Sequence, residues 1–204
     1  MNALTLCHVD EEVIVIDKPA GLLSVPGRGE DKQDCAWARL QGPHPESLVV
    51  HRLDMATSGL LLFARNPQAQ RRWSALFAER ALLKDYVAVV HGELPWGPDW
   101  QRIDLPLIAD WPNRPRQKVC AAQGKPSQTE WRRVPGWAPP GCSRLLLRPL
   151  TGRAHQLRVH LLSLGHPIVG DALYDPERPA ERLLLHAQTL EWPAHLRVHA
   201  PCPF

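Results

Sequence analysis

The sequence predicts one α+β domain built in two lobes over residues 1–204. Three observations point to it. Short apolar and β-branched runs recur along the chain and read as buried strands, whereas stretches with apolar residues at helical spacing are few. The length of 204 residues exceeds the usual domain size yet fits one large domain. A hydrophobic content of 44% can build a sizeable core.

In order, residues 13–17 (VIVID) form the first expected strand, which Lys18-Pro19-Ala20-Gly21 breaks. Extended chain resumes over 22–25, and Pro26-Gly27-Arg28-Gly29 makes a loop that can hold a basic charge at a rim. A short helix is expected over 33–40, then loop over 44–46 and an extended lead-in over 48–50. Residues 60–64 form an apolar strand. Asn66 and Pro67 occupy the cap and first-turn positions of a helix whose Ala69, Trp73, Leu76 and Phe77 recur at helical spacing. A strand follows over 86–91, and a loop rich in Trp, Pro and Gly over 92–101. The loop at 110–118, DWPNRPRQK, sets basic side chains among prolines and a tryptophan. That composition fits a semi-rigid RNA-contacting finger and equally fits a plain surface loop. Residues 127–134 and 144–148 read as strands around a turn-rich connection. A helix over 154–164 is marked by a Leu157, Leu161, Leu164 stripe and a stop at Gly165. Residues 183–186 read as a late buried strand and 200–204 as a short tail.

Composition excludes several classes. A net charge of +3, from 24 Lys+Arg against 21 Asp+Glu, means that a nucleic-acid site must be a local patch. The excess of Arg over Lys favours planar, bidentate phosphate contacts. Cys7, Cys35, Cys120, Cys142 and Cys202 are odd in number, scattered and without a C-x-x-C pair, so neither a disulfide framework nor a zinc ribbon is indicated, and a reducing cytoplasm is expected. No signal-peptide pattern and no membrane-length apolar run is found. His155, His160 and His166 invite a metal reading, but the first two are five apart and no nearby Cys or Glu completes a ligand set, so no metal is expected.

The stretch at 51–65, HRLDMATSGLLLFAR, sets Arg52 and Asp54 ahead of a turn-forming Thr57-Ser58-Gly59 and a buried strand. In an extended segment, residues i and i+2 point the same way, so both could look into one cleft, as a charged nucleophile and its basic neighbour would. A turn aspartate beside a surface arginine is the other reading. Tyr86 reads first as a core aromatic with a wet hydroxyl, the alternative being a ring that stacks on a base.

Taken together, Lys18-Pro19-Ala20-Gly21, His51-Arg52-Leu53-Asp54 with Thr57-Ser58-Gly59, Lys84-Asp85-Tyr86 and Thr151-Gly152-Arg153-Ala154-His155-Gln156-Leu157-Arg158 resemble, in order and separation, the RluA family of pseudouridine synthases. The resemblance spans nearly the whole chain and extends to 183–187 and the closing APCPF. It implies a mixed, mostly antiparallel sheet with flanking helices and a central active-site cleft, and no cofactor; in a departure from many relatives, no appended N-terminal RNA-binding domain is expected, which leaves RNA recognition to the catalytic domain and its loops. It further implies Asp54 as nucleophile or base, Arg153 as its ionic partner, and Tyr86 as the residue that holds the base by its face. Arg52 would fill the gap left by the flipped nucleotide, and His51, Lys18, Leu157, Arg28, Arg114 and Arg116 would line the substrate. The substrate implied is RNA, as stem-loops of 23S ribosomal RNA and of the tRNA anticodon arm, handled by a cytoplasmic monomer without a membrane partner. Two other classes stay open. A nucleoside or glycoside hydrolase would need a second carboxylate, for which Asp171 is the nearest candidate. A non-catalytic RNA-binding or RNA-folding protein would need the basic loops without Asp54, Arg153 and Tyr86.

Overall fold

The computed structural model describes residues 4–97 and 99–204. In chain order its elements are β1 (Thr5–Val9), β2 (Val13–Lys18), α1 (Ala36–Gln41), β3 (Leu48–Val49), β4 (Ser58–Ala64), α2 (Pro67–Ala78), β5 (Leu83–His91), β6 (Gln101–Asp104) and β7 (Leu107–Ala109). There follow β8 (Gln117–Val119), β9 (Gln128–Arg133), β10 (Cys142–Pro149), α3 (Gln156–Ser163), β11 (Leu185–Trp192) and β12 (Leu196–His199). This is the expected α+β class, with mostly antiparallel pairing. The chain divides into two compact units, Met1–Lys84 with Ala187–Pro203, and Asp85–His186 with Phe204.

The first unit is organised by β2 and β4, which pair antiparallel from Val13↔Ala64 to Lys18↔Gly59. Both strands are buried on both faces, which is why they read as unbroken apolar runs. Their alternation feeds two separate cores. Val13, Val15, Leu60 and Leu62 pack with Ala69 and Trp73 of α2, while Ile14, Ile16, Leu61 and Phe63 pack with Ala36 and Leu40 of α1. The Asn66 side chain accepts the Ala69 amide, so α2 starts at the cap the sequence marks. Gly59 has φ +109, and a Cβ there would stand 2.3 Å from the Ala187 carbonyl oxygen. The TSG triplet is therefore not the turn. Met55 and Ala56 turn the chain, and Gly59 lets the neighbouring backbone approach β4.

In the second unit, β10 pairs antiparallel with β5 on one side and β9 on the other, and β9 pairs with β6. The strict alternation of burial along β10 gives one covered face. The helix α3 begins two residues later than the spacing predicts, because His155 is left-handed at φ 53. It is buried almost all round, polar residues included, and Leu164 of the expected stripe is 39% exposed. The strands β1, β6, β7, β8, β12 and most of β11, which runs to Trp192, escape the sequence reading. β7 and β8 are three residues long, and the others carry charged or polar residues at alternate or edge positions, which hides them from an apolar-run criterion.

Candidate active site

The residues the sequence singles out fall in both units. In the first, the segment from His51 to Thr57 is clamped at almost every residue. His51 Nε2 accepts the Leu62 amide at 3.0 Å, and its ring stacks on Phe77 at 4.2 Å. The Ser24 hydroxyl donates to the Leu53 carbonyl at 2.7 Å and accepts the Leu53 amide at 3.0 Å. The Asp54 carbonyl accepts the Thr57 amide, and the Met55 carbonyl accepts the Gly21 amide. Lys18 is fully buried, and its ammonium donates to the carbonyls of Pro19, Leu22 and Met55. The carboxylate of Asp54 thus rides on a backbone fixed from both sides, and the side chain is half-buried while Arg52 and Met55 are exposed.

That geometry changes what two candidates do. Lys18, expected at the substrate, has its charge enclosed by the loop's own carbonyls. His51 is a brace: burial, and then the nearby Lys84 charge, push its pKa down to about 3, so the neutral ring can accept the Leu62 amide. Arg28 does stand exposed, on the loop before the 3-10 turn Glu30–Lys32.

In the second unit, Arg153 sits in a loop tied down by Gln156, which is 4% exposed. Gln156 Oε1 accepts from the Thr151 hydroxyl at 2.6 Å and from the Arg153 amide at 3.1 Å. Its Nε2 donates to the Gln128 carbonyl and the Thr129 hydroxyl. Thr129 in turn meets His160 Nδ1 at 2.9 Å, and His160 Nε2 reaches the Leu105 carbonyl at 3.0 Å. Burial holds the His160 pKa below its ordinary value, the neutral state in which one nitrogen accepts and the other donates. Every polar group of Gln156 is used, so the arginine's loop has a defined shape. Leu157 lies buried in the first turn of α3. Tyr86 lies in β5 opposite Leu147, and its neighbour Asp85 forms a two-pronged pair with Arg148 at 2.8 and 3.1 Å.

The loop at 110–118 is the tip of a β7–β8 hairpin. Asp110 organises it, accepting from Asn113 at 2.8 Å and Lys118 at 3.1 Å, and these donors lower its pKa. Arg114 lies over the exposed Trp111 ring at 3.3 Å, and Arg116 lies over Tyr174 at 5.3 Å. Asp171, the candidate second acid of a hydrolase, is 1% exposed in its side chain and locked bidentately to Arg158 at 2.8 and 2.6 Å. Of the three histidines weighed for a metal, His155 meets Tyr174, His160 meets Thr129 and Leu105, and His166 donates to the His91 carbonyl. Sequence reasoning missed Ser24, Asp85, Thr129, Gln156 and Tyr174. Each acts on a partner far away in the chain, and only Asp85, inside the Lys84-Asp85-Tyr86 block, and Gln156, inside the TGRAHQLR block, had a local signal.

Comparisons with known proteins identify the family. The family model for RNA pseudouridylate synthase matches residues 12–163. The dual-specificity RNA pseudouridine synthase RluA of Escherichia coli (strain K12) is 48% identical over 209 residues, covering 98% of this chain and 94% of that protein. The protein of the same description from Yersinia pestis is 47% identical, covering 92% and 91%. Among solved structures, Human RNA Pseudouridylate Synthase Domain Containing 1 is similar at TM-score 0.80 and 30% identity, covering 98% of this chain and 84% of that one. Human RNA Pseudouridylate Synthase Domain Containing 4, at TM-score 0.76 and 24% identity, shares the fold. The chain belongs to the RNA pseudouridylate synthase family and is an isomerase acting on RNA.

Proposed function

We propose that this chain converts specific uridines to pseudouridine in stem-loops of both 23S ribosomal RNA and tRNA, the latter in the anticodon arm, with Asp54 as the reacting group. The dual specificity in the relatives' descriptions supports the two substrates. The observation that carries the assignment of Asp54 is the clamp on the backbone of Leu53, Asp54 and Met55 by Ser24, Thr57, Gly21 and Lys18. A carboxylate that must meet a flipped uridine at one sugar or ring atom gains most from a loop that cannot relax.

The reaction breaks the N1–C1′ bond, turns the uracil and joins C5 to C1′, with the C5 proton leaving, so it is redox-neutral. Asp54 acts on the sugar or the base as nucleophile or base. Arg153 supplies the guanidinium that directs the reacting carboxylate, a role suited to its planar fork of donors. Tyr86 holds the uracil by its face and assists removal of the C5 proton, with Leu157 contributing apolar contact. Arg52, exposed two residues before Asp54, fills the place of the flipped nucleotide; flipping costs about a few kcal/mol and less in a loop, which favours stem-loops. Arg28, Arg114 and Arg116 hold phosphates, so recognition rests on the catalytic domain's own loops. Lys18 and His51 serve the substrate through the loop that they hold. We place this activity in the cytoplasm, in a monomer; free cysteines among the described residues accord with a reducing compartment, and no helix there is long and apolar enough to cross a membrane.

The test is conversion of uridine in isolated ribosomal and anticodon-arm hairpins, read by carbodiimide block to reverse transcription. Wild-type protein should convert both. Asp54→Asn should lose roughly a thousandfold or more in single-turnover rate while keeping its fold and RNA affinity. Residual activity within about tenfold of wild type would remove Asp54 from the chemistry.

A further inference from the structure

Tyr174 has no part in the reaction as described above, yet it meets two of the segments that do. It lies in the turn after Gly170 and is 6% exposed. Its ring packs with Leu107 of β7 and Val159 of α3, with Arg116 over it at 5.3 Å and Arg158 at 5.0 Å. Its hydroxyl accepts the amide proton of Gln117, the first residue of β8, at 2.8 Å and meets His155 Nδ1 at 2.8 Å. The hydroxyl carries one proton and two lone pairs, so the bond to Nδ1 runs in the direction that the imidazole tautomer sets. The turn carrying Tyr174 is fixed in turn, because Asp171 accepts the Tyr174 amide while paired with Arg158.

What the hydroxyl holds is unusual. His155 precedes α3 with φ 53, and no side chain caps that helix start. A left-handed non-glycine residue is strained and persists where its surroundings over-determine it. The bend it makes lets the chain leave the Arg153 loop and enter a buried helix, with Arg153 two residues upstream. One hydroxyl therefore joins the base of the finger to the strained residue that shapes the arginine's loop.

We propose that Tyr174 is a positioning residue that couples the β7–β8 finger to the Arg153 loop, so that phosphate held by Arg116 on one face of the ring steadies Arg153 through His155. This rests on the functional reading given above. It assigns to the finger a second task besides affinity: RNA engagement there raises the rate of the chemical step.

Tyr174→Phe isolates the claim, since it keeps the ring and both arginine contacts and removes only the hydroxyl. Three quantities are read on an anticodon-arm hairpin: single-turnover pseudouridine formation, RNA affinity by filter binding, and the ¹⁵N shifts of the His155 ring. The expected result is a rate lower by about tenfold with affinity within about twofold of wild type, and His155 ring ¹⁵N shifts that move as Nδ1 loses its hydroxyl partner. Arg116→Ala and Tyr174→Phe together should cost less in rate than the product of their separate effects. A wild-type rate in Tyr174→Phe, unchanged His155 shifts, or losses of rate and affinity in equal proportion would overturn the coupling. Wild-type protein that forms no pseudouridine on any hairpin would instead overturn the functional reading, and the coupling with it.

Discussion

Lys18 shows how a residue found by its motif can work differently from its expected role. The KPAG block marks it as a substrate contact, whereas its ammonium donates to the carbonyls of Pro19, Leu22 and Met55 in a fully buried setting. Removing one partner from a buried, charge-assisted set leaves acceptors unsatisfied at about 1–3 kcal/mol each. Lys18→Met should therefore lower stability by roughly 2–4 kcal/mol in urea unfolding and lower the single-turnover rate more than the RNA affinity, because it loosens the loop under Asp54. A variant as stable and as fast as wild type would show that the clasp does not hold the loop. No local pattern could reveal this role, since Met55 lies 37 positions away. Gly59, by contrast, was legible as special, though its reason was the approach of the Ala187 backbone and not a turn.

At the scale of the element, the β7–β8 finger carries two of the proposed phosphate contacts, Arg114 and Arg116. Its tip is tied by Asp110, and Arg114 is spread on the exposed Trp111 ring. A guanidinium on an aromatic face still presents its edge donors to phosphate. Arg114→Ala should weaken binding of any hairpin and flatten the plot of log affinity against log salt by roughly one unit. An unchanged slope would mean that Arg114 meets no phosphate. The sequence marked this loop by its mix of prolines, Trp and Arg, but it could not show that two short strands flank it. Strands of three residues leave no periodicity to read, and pairing across the hairpin creates them.

For the whole molecule, pH acts through buried imidazoles. Burial holds His51, His91 and His160 below the ordinary histidine value, His51 at about 3. In the unfolded chain each returns to roughly 6.5. Between the folded and unfolded values the unfolded chain binds more protons, so this stability is fully present above about 6.5 and is lost as pH falls through the window below it. The urea midpoint should thus drop between pH 7 and pH 5. His51→Gln, which keeps an acceptor for the Leu62 amide and cannot titrate in that range, should make the drop shallower. A wild-type midpoint that stays level over that window would contradict the burial of these rings.

By itself the sequence determined the α+β class, β2 and β4 as buried strands, the cap of α2, and the ordered set of motifs that marks the family. Each of these is written in contiguous residues, as an apolar run, a cap pair or a short block. Only the tertiary structure decided that Lys18 and His51 brace a loop, that Asp171 is locked to Arg158, that Ser24 and Gln156 hold the loops of Asp54 and Arg153, and that Tyr174 meets Gln117 and His155. Those roles depend on hydrogen-bond partners up to 57 positions away, brought together by strand pairing and packing, and a polar side chain carries no mark of a partner so distant.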